Sequence, residues 1–326
     1  DEELRSLLST IVSQKDDFGT LGQQGVIYYR SGGEPCRIAI ASTDYITRSM
    51  GDLALVLLAI GNVLLQSLGY IPAFGLDELT LQYYQEVFWQ KEFAGALLVS
   101  LRIAFLSSVL ACVFGVLLCF ALIQCRQARR PLFYLIRLPI LTPHAVVAVF
   151  VVNLLSQTGL FARAAFALGL ISDYPQFPQL LYTPSYTGTI LAYLWKEIPF
   201  VAYFVLALMS SVSSTLGEAA ENLGASPVRS FFEITLPLSL PAILKAFLII
   251  FIFAFGGYEL PFLLGSTLPK ALPVQAYLSY QSPDLLQRPY AMAMNGVILL
   301  LSCSMALLYA LLTARLSKRI GGGRQG

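Results

Sequence analysis

The stretch EAAENLGASPVRSFFEITLP, from Glu218 to Pro237, decides the fold. It is polar and amphipathic, and long apolar runs flank it on both sides, so it reads as a loop between two membrane-crossing segments. Thr215 and Glu218 have the T-x-x-E spacing of a capping box, in which each side chain satisfies a free backbone N–H at a helix start. Gly224 stands where a left-handed cap would end that helix, because glycine carries no Cβ to clash there. Ser226 before Pro227 then reads as an N-cap with proline at the first helical position, and the second helix is expected to run to about Leu236 and stop at Pro237. Ala219, Ala220 and Ala225 leave a smooth surface for close approach, while Glu218, Glu221, Arg229 and Glu233 offer polar contacts. The unit suits docking, although an ordinary amphipathic loop helix carries the same pattern.

Working outward, apolar residues make up 56% of the chain and charged ones 12%, with a mean hydropathy of +0.69. This is an all-α integral membrane protein. A net charge of +2 gives no basic field for nucleic acid, so lysine and arginine matter by position. The five cysteines form no C-x-x-C pair, and Cys112, Cys119, Cys125 and Cys303 lie in or beside apolar runs. Neither a disulfide framework nor a metal site is indicated.

Six segments are apolar for about the 20 residues that a membrane helix needs: roughly 51–70, 94–123, 132–156, 187–210, 241–264 and 291–314. Arg126, Arg129 and Arg130 follow the second, Arg229 and Lys245 lie in or beside the loop after the fourth, and Arg315, Lys318, Arg319 and Arg324 follow the sixth. Basic residues collect on the cytoplasmic side, which places both termini inside. Outside, residues 71–93 suit a helix lying at the interface or a plain connection. A short helix is expected around Ala162 to Leu168. Residues 1–49 are polar and glycine-rich, and are expected to be an N-terminal extension, either a cytoplasmic addition or sequence from upstream of a start near Met50. The permease-like domain is expected over 50–320, with 321–326 a flexible tail.

Ionisable residues inside spans cost roughly 2.5 to 3.5 kcal/mol each on insertion scales, so each needs a partner or water. Lys196 and Glu197 are adjacent in the fourth span and point about 100° apart, which sends them to different neighbours. Glu259 lies in the fifth, between Gly257 and Pro261. These three are candidates for a water-lined translocation path whose carboxylates suit a cation; the other reading is structural pairing between helices. His144, the one histidine, has no Cys, Asp or Glu near it at ligand spacing, which favours a structural hydrogen bond over a metal or a proton relay.

The order E-A-A, three residues, G, nine residues, I, one residue, L-P resembles the signature loop of permease subunits from binding-protein-dependent ABC importers. Glu218, Ala219, Ala220, Gly224, Ile234, Leu236 and Pro237 carry the match. The resemblance implies the type I permease fold, and it implies that residues from about Leu216 to Leu223 form a coupling helix seated in the cytoplasmic ATPase subunits. It also implies that ATP and magnesium are bound by that ATPase pair, that a second permease subunit completes the path, commonly as a heterodimer, and that an external solute-binding protein delivers the solute at the bacterial inner membrane. The strings WKEIPF from Trp195, YELPFLLGSTLPKALPVQAYLSY from Tyr258 and DLLQRPYAMAMN from Asp284 resemble the polyamine (spermidine/putrescine) branch, whose near relatives carry other organic solutes and ferric iron.

No lysine follows a glycine, so the chain has no phosphate-cradling G-x-x-x-x-G-K-[ST] loop of its own. No G-x-S-x-G or H-E-x-x-H motif supplies catalytic residues, so a transport protein is expected and not an enzyme. The remaining rival is an ion-coupled secondary transporter using Lys196, Glu197, Glu259 and His144. It predicts inverted internal repeats, and none is evident in the sequence.

Overall fold

The computed structural model describes residues 26–31, 34–39, 43–124, 136–209, 220 and 223–321. The chain divides into two compact units, Asp1–Asn62 and Val63–Gly326. In the first, strands β1 (Val26–Ser31) and β2 (Glu34–Ala39) pair antiparallel, with Val26 opposite Ala39 and Ser31 opposite Glu34. This hairpin departs from the all-α expectation, which holds for the described part of the second unit. Helix α1 (Thr43–Ser67) contains the apolar stretch Gly51–Ser67.

Five helical stretches of the second unit are long and apolar enough to cross a membrane: Phe93–Leu122, His144–Ala167, Thr187–Ala207, Pro227–Gly256 and Leu285–Leu311. Together with Gly51–Ser67, which is shorter, they account for the six expected segments. They belong to α3 (Phe93–Gln124), α4 (His144–Leu155) with α5 (Leu160–Ala167), α6 (Thr187–Met209), α7 (Pro227–Ser230) running into α8 (Leu236–Gly256), and α11 (Arg288–Gly321). Outside the spans lie α2 (Gln82–Trp89) and the short helix α10 (Leu272–Tyr280), while the short helix α9 (Glu259–Leu264) continues the fifth expected segment.

The core is built on α3 and α6. Ala104, Ser107, Ser108, Ala111 and Cys119 of α3 are fully buried at a spacing of three or four residues, so small side chains line one face of the helix. At Gly115 on that face, a Cβ would lie 2.7 Å from Val201 Cβ and 3.1 Å from Ile198 O. Glycine is therefore what lets the two backbones approach. Helix α8 closes this core with Ile250, Phe251, Ala254 and Phe255.

A second, smaller core joins α2 to the starts of α3 and α11 through Val87, Phe93, Leu272, Ala293 and Met294. Here residues 82–89 do form the expected amphipathic helix: Val87 is buried and Trp89 is exposed. Tyr84 Oη donates to Ser67 Oγ at 2.8 Å, and Tyr290 Oη donates to Glu86 Oε2. That hydroxyl, followed by the Gln82 amide, holds the Glu86 carboxyl below the usual carboxylate range. The tie is therefore intact above the ordinary carboxylate pKa and is lost as pH falls through the lowered one. Arg288 caps the region, its guanidinium 5.3 Å from the Phe74 ring and 5.1 Å from the Tyr280 ring.

Two of the sequence expectations need correction. The loop's second helix does not stop at Pro237. A π-helical turn, Phe231–Thr235, carries it into α8, and Leu236 N–H donates to Phe231 O in an i to i−5 bond. The wider turn accommodates a proline, which can neither donate to the preceding turn nor pack in a regular one. The third and fifth expected spans are also interrupted. The third breaks at Thr142–Pro143, and the fifth ends at Gly256 and resumes at Glu259.

Candidate functional site: the capped loop and two broken spans

The loop turn is built as its residues dictate. Gly224 has φ +95°, in the left-handed region, and Ala225 N–H donates to Ala220 O at 3.0 Å. That is the six-to-one bond of a Schellman cap, with Gly224 at C′. Ser226 Oγ then accepts from Arg229 N–H at 3.3 Å, with Pro227 at the first helical position. Arg229 Nε reaches Glu233 at 3.0 Å on the exposed face. Ile234, Leu236 and Pro237 follow on the π turn and the first residues of α8. Glu218 and Ala219 lie outside the described residues.

The ionisable residues separate into two places. Lys196 Nζ donates to Thr142 O at 2.7 Å, a carbonyl at the break before α4. Among the described residues it has no carboxylate within 4.0 Å. His144, two residues on, sets Nδ1 3.3 Å from Glu259 Oε2, with its ring 5.4 Å from that of Phe253. Glu259 is the first residue of α9, and its side chain is half-exposed. Gly257, in the break before α9, packs closely against Tyr193, since a Cβ there would fall 2.5 Å from Tyr193 Oη.

Glu197 turns the other way, as the 100° spacing requires. It is 4% exposed and faces Ser107 of α3, whose Oγ donates to Ala104 O at 3.3 Å. The Ser107 hydroxyl interacts with the carboxylate, but neither carboxylate oxygen has a hydrogen bond of good geometry among the described residues. Tyr193, one turn earlier and fully buried, lies within electrostatic range of both Glu197 and Glu259.

Sequence reasoning missed the partner of His144. The pair is formed between residues two spans apart, and a search for nearby ligands cannot see it. Pro143 and the Gly256–Gly257 pair were the available signals, because each marks a break and broken helices in a membrane are kept where protein or water reaches them.

Apolar helices of spanning length, two of them interrupted, with charged side chains gathered at the interruptions, define a transport permease. Residues 113–318 match the family described as binding-protein-dependent transport system inner membrane component, and the chain belongs to it. It is 26% identical over 250 residues to the sulfate transport system permease protein CysT of Salmonella typhimurium, covering 76% of this chain and 86% of that one. It is 26% identical over 192 residues to the molybdenum transport system permease protein ModB of Escherichia coli K12, covering 58% and 80%. The fold is that of a chain from a bacterial ABC transporter involved in the import of alginate, with a TM-score of 0.69 at 21% identity, over 84% of this chain and 97% of that one. The protein is a multi-pass inner-membrane permease of the ABC importer class.

Proposed function

We propose that this chain pairs with a second permease subunit to form the translocation path of an ATP-driven importer, with both termini cytoplasmic. A separate pair of ATPase subunits binds ATP and magnesium, and an external binding protein delivers the solute. The observation that carries this reading is the Gly224 turn, a left-handed cap at which Leu223 and Gly224 stand exposed. Leu223, beside Gly224, is 90% exposed, as a residue awaiting a partner surface would be. Uptake by proteoliposomes holding the whole transporter should require ATP and the binding protein. Uptake driven by an ion gradient alone would make the chain a secondary transporter instead.

The solute is a small polar or charged molecule, and two classes have support. Glu259 offers a half-exposed carboxylate to a cation, which agrees with the resemblance to polyamine permeases. The Lys196 ammonium, without a carboxylate partner among the described residues, favours an oxyanion, and the two relatives above are named for sulfate and molybdenum transport. A thermal-shift screen of the cognate binding protein with spermidine, putrescine, sulfate and molybdate separates the two. A shift with either polyamine and with neither anion establishes the cation, and the reverse establishes the oxyanion.

Glu197 also belongs to the proposed path. A buried carboxylate with no well-formed hydrogen bond among the described residues is a cost to the fold, and replacing such a group with a neutral residue of similar shape is commonly neutral or stabilising. Glu197→Gln is therefore expected to leave the melting temperature of the assembled complex equal or higher while lowering uptake. Wild-type uptake by this variant would show that the carboxylate has no part in transport.

A further inference from the structure

Two interruptions in two different spans meet side by side. His144 opens α4 directly after the break at Thr142–Pro143, and Glu259 opens α9 directly after the break at Gly257–Tyr258. Irregular backbone is tolerated at membrane depth only where protein buries it or water reaches it. Here side chains bridge it: His144 Nδ1 to Glu259 Oε2 at 3.3 Å, and Lys196 Nζ to Thr142 O at 2.7 Å. Among the described residues, the His144–Glu259 contact is the only one that sets a carboxylate within 4.0 Å of a basic side chain across the two breaks, and it is an ion pair only when the imidazole is protonated.

We propose that His144 is a positioning residue of the transport cycle: through Glu259 it latches the break before α4 to the break before α9 in the resting state, and the latch opens in each turnover. The inference rests on the chain working as a permease subunit of an ATP-driven importer. Three features suit the pair to being made and broken. Its side chains are 20% and 50% exposed, so opening the contact does not strand fully buried charges, whereas a fully buried pair would be held by that cost. Both residues stand at helix starts, where a hinge can turn without breaking intrahelical hydrogen bonds. The third is that neither neighbouring charge forms a close ion pair with either member, although Lys196 lies within electrostatic range of both. Lys196 of α6 is engaged with a carbonyl, and Glu197 faces α3.

The test compares His144→Gln, Glu259→Gln and the double variant in the whole transporter reconstituted with its ATPase subunits. A latch that holds the resting state restrains ATP hydrolysis when no binding protein is present. Each single variant should raise that basal hydrolysis, by up to about fivefold, the shift produced by losing one partly exposed polar contact. The double variant should show no further rise, because both changes remove the same contact. Melting temperature should stay at the wild-type value. The reversed pair, His144→Glu with Glu259→Lys, should return hydrolysis towards wild type, and it serves as the test if a single variant fails to assemble. Unchanged basal hydrolysis, effects that add in the double variant, or a lower melting temperature with normal hydrolysis would each overturn the latch. Failure of the underlying reading would look different, since the wild-type transporter itself would then show no ATP-dependent uptake.

Discussion

Replacing Gly224 with valine is expected to lower ATP-driven uptake at least about tenfold while the spans remain inserted and assembled. The backbone there has φ +95°, and a Cβ built on it meets nothing within 4 Å. Space is thus no obstacle, and the whole effect comes from conformation. A left-handed position costs an L-residue about 1 to 2 kcal/mol, more for a β-branched one, and 1.4 kcal/mol is a factor of ten. The strain should be relieved by unwinding the cap, which removes the bond from Ala225 N–H to Ala220 O and with it the turn beside the proposed docking segment. Asparagine, which tolerates the left-handed region, should retain intermediate uptake. Aspartate adds a charge to the proposed interface and should fall below asparagine. Uptake and co-purification of the ATPase subunits, measured across valine, asparagine and aspartate, check the order. Equal behaviour of valine and asparagine would remove the conformational argument.

Gly115→Leu is expected to abolish recovery of folded protein. Even the first added carbon would sit 2.7 Å from Val201 Cβ and Cγ1 and 3.1 Å from Ile198 O, none of which is the far end of a flexible side chain. Overpacking of a dense core typically costs about 1 to 3 kcal/mol, and α3 against α6 is the centre of this one. Gly115→Ala should lower the melting temperature in detergent measurably. Gly95→Ala on the same helix is the control, because its Cβ would meet only Pro269 Cβ at an ordinary 3.7 Å. Wild-type yield and melting temperature for Gly115→Leu would mean that α3 and α6 do not pack as described.

What the sequence made legible was local. The Gly224 cap and the Ser226–Pro227 start depend on a few consecutive residues, and both formed as expected. The divergence of Lys196 and Glu197 followed from helical geometry alone. Pro237 misled because its effect depends on the turn before it, and a π turn at Phe231–Thr235 leaves no mark in apolar periodicity. The pairing of His144 with Glu259 joins two spans and requires the tertiary fold. The packed face of α3 lies between these cases. Its small residues at Ala104, Ser107, Ala111 and Gly115 recur at helical spacing, a signal for close helix approach that was present in the sequence and was not used.

The π turn has a mechanical consequence. Because it joins the loop's second helix to the span beyond, Pro227–Gly256 forms one continuous helical stretch of 30 residues, with the π turn and Pro241 inside it, about 45 Å long at 1.5 Å per residue. Its lower end begins three residues after Gly224, and its upper end is the residue before Gly257. A tilt of about 10° about the lower end sweeps the upper end through about 8 Å, far more than the 3.3 Å that separates His144 from Glu259. A small tilt at the loop would therefore reach Gly256 as a larger displacement, beside the His144–Glu259 contact.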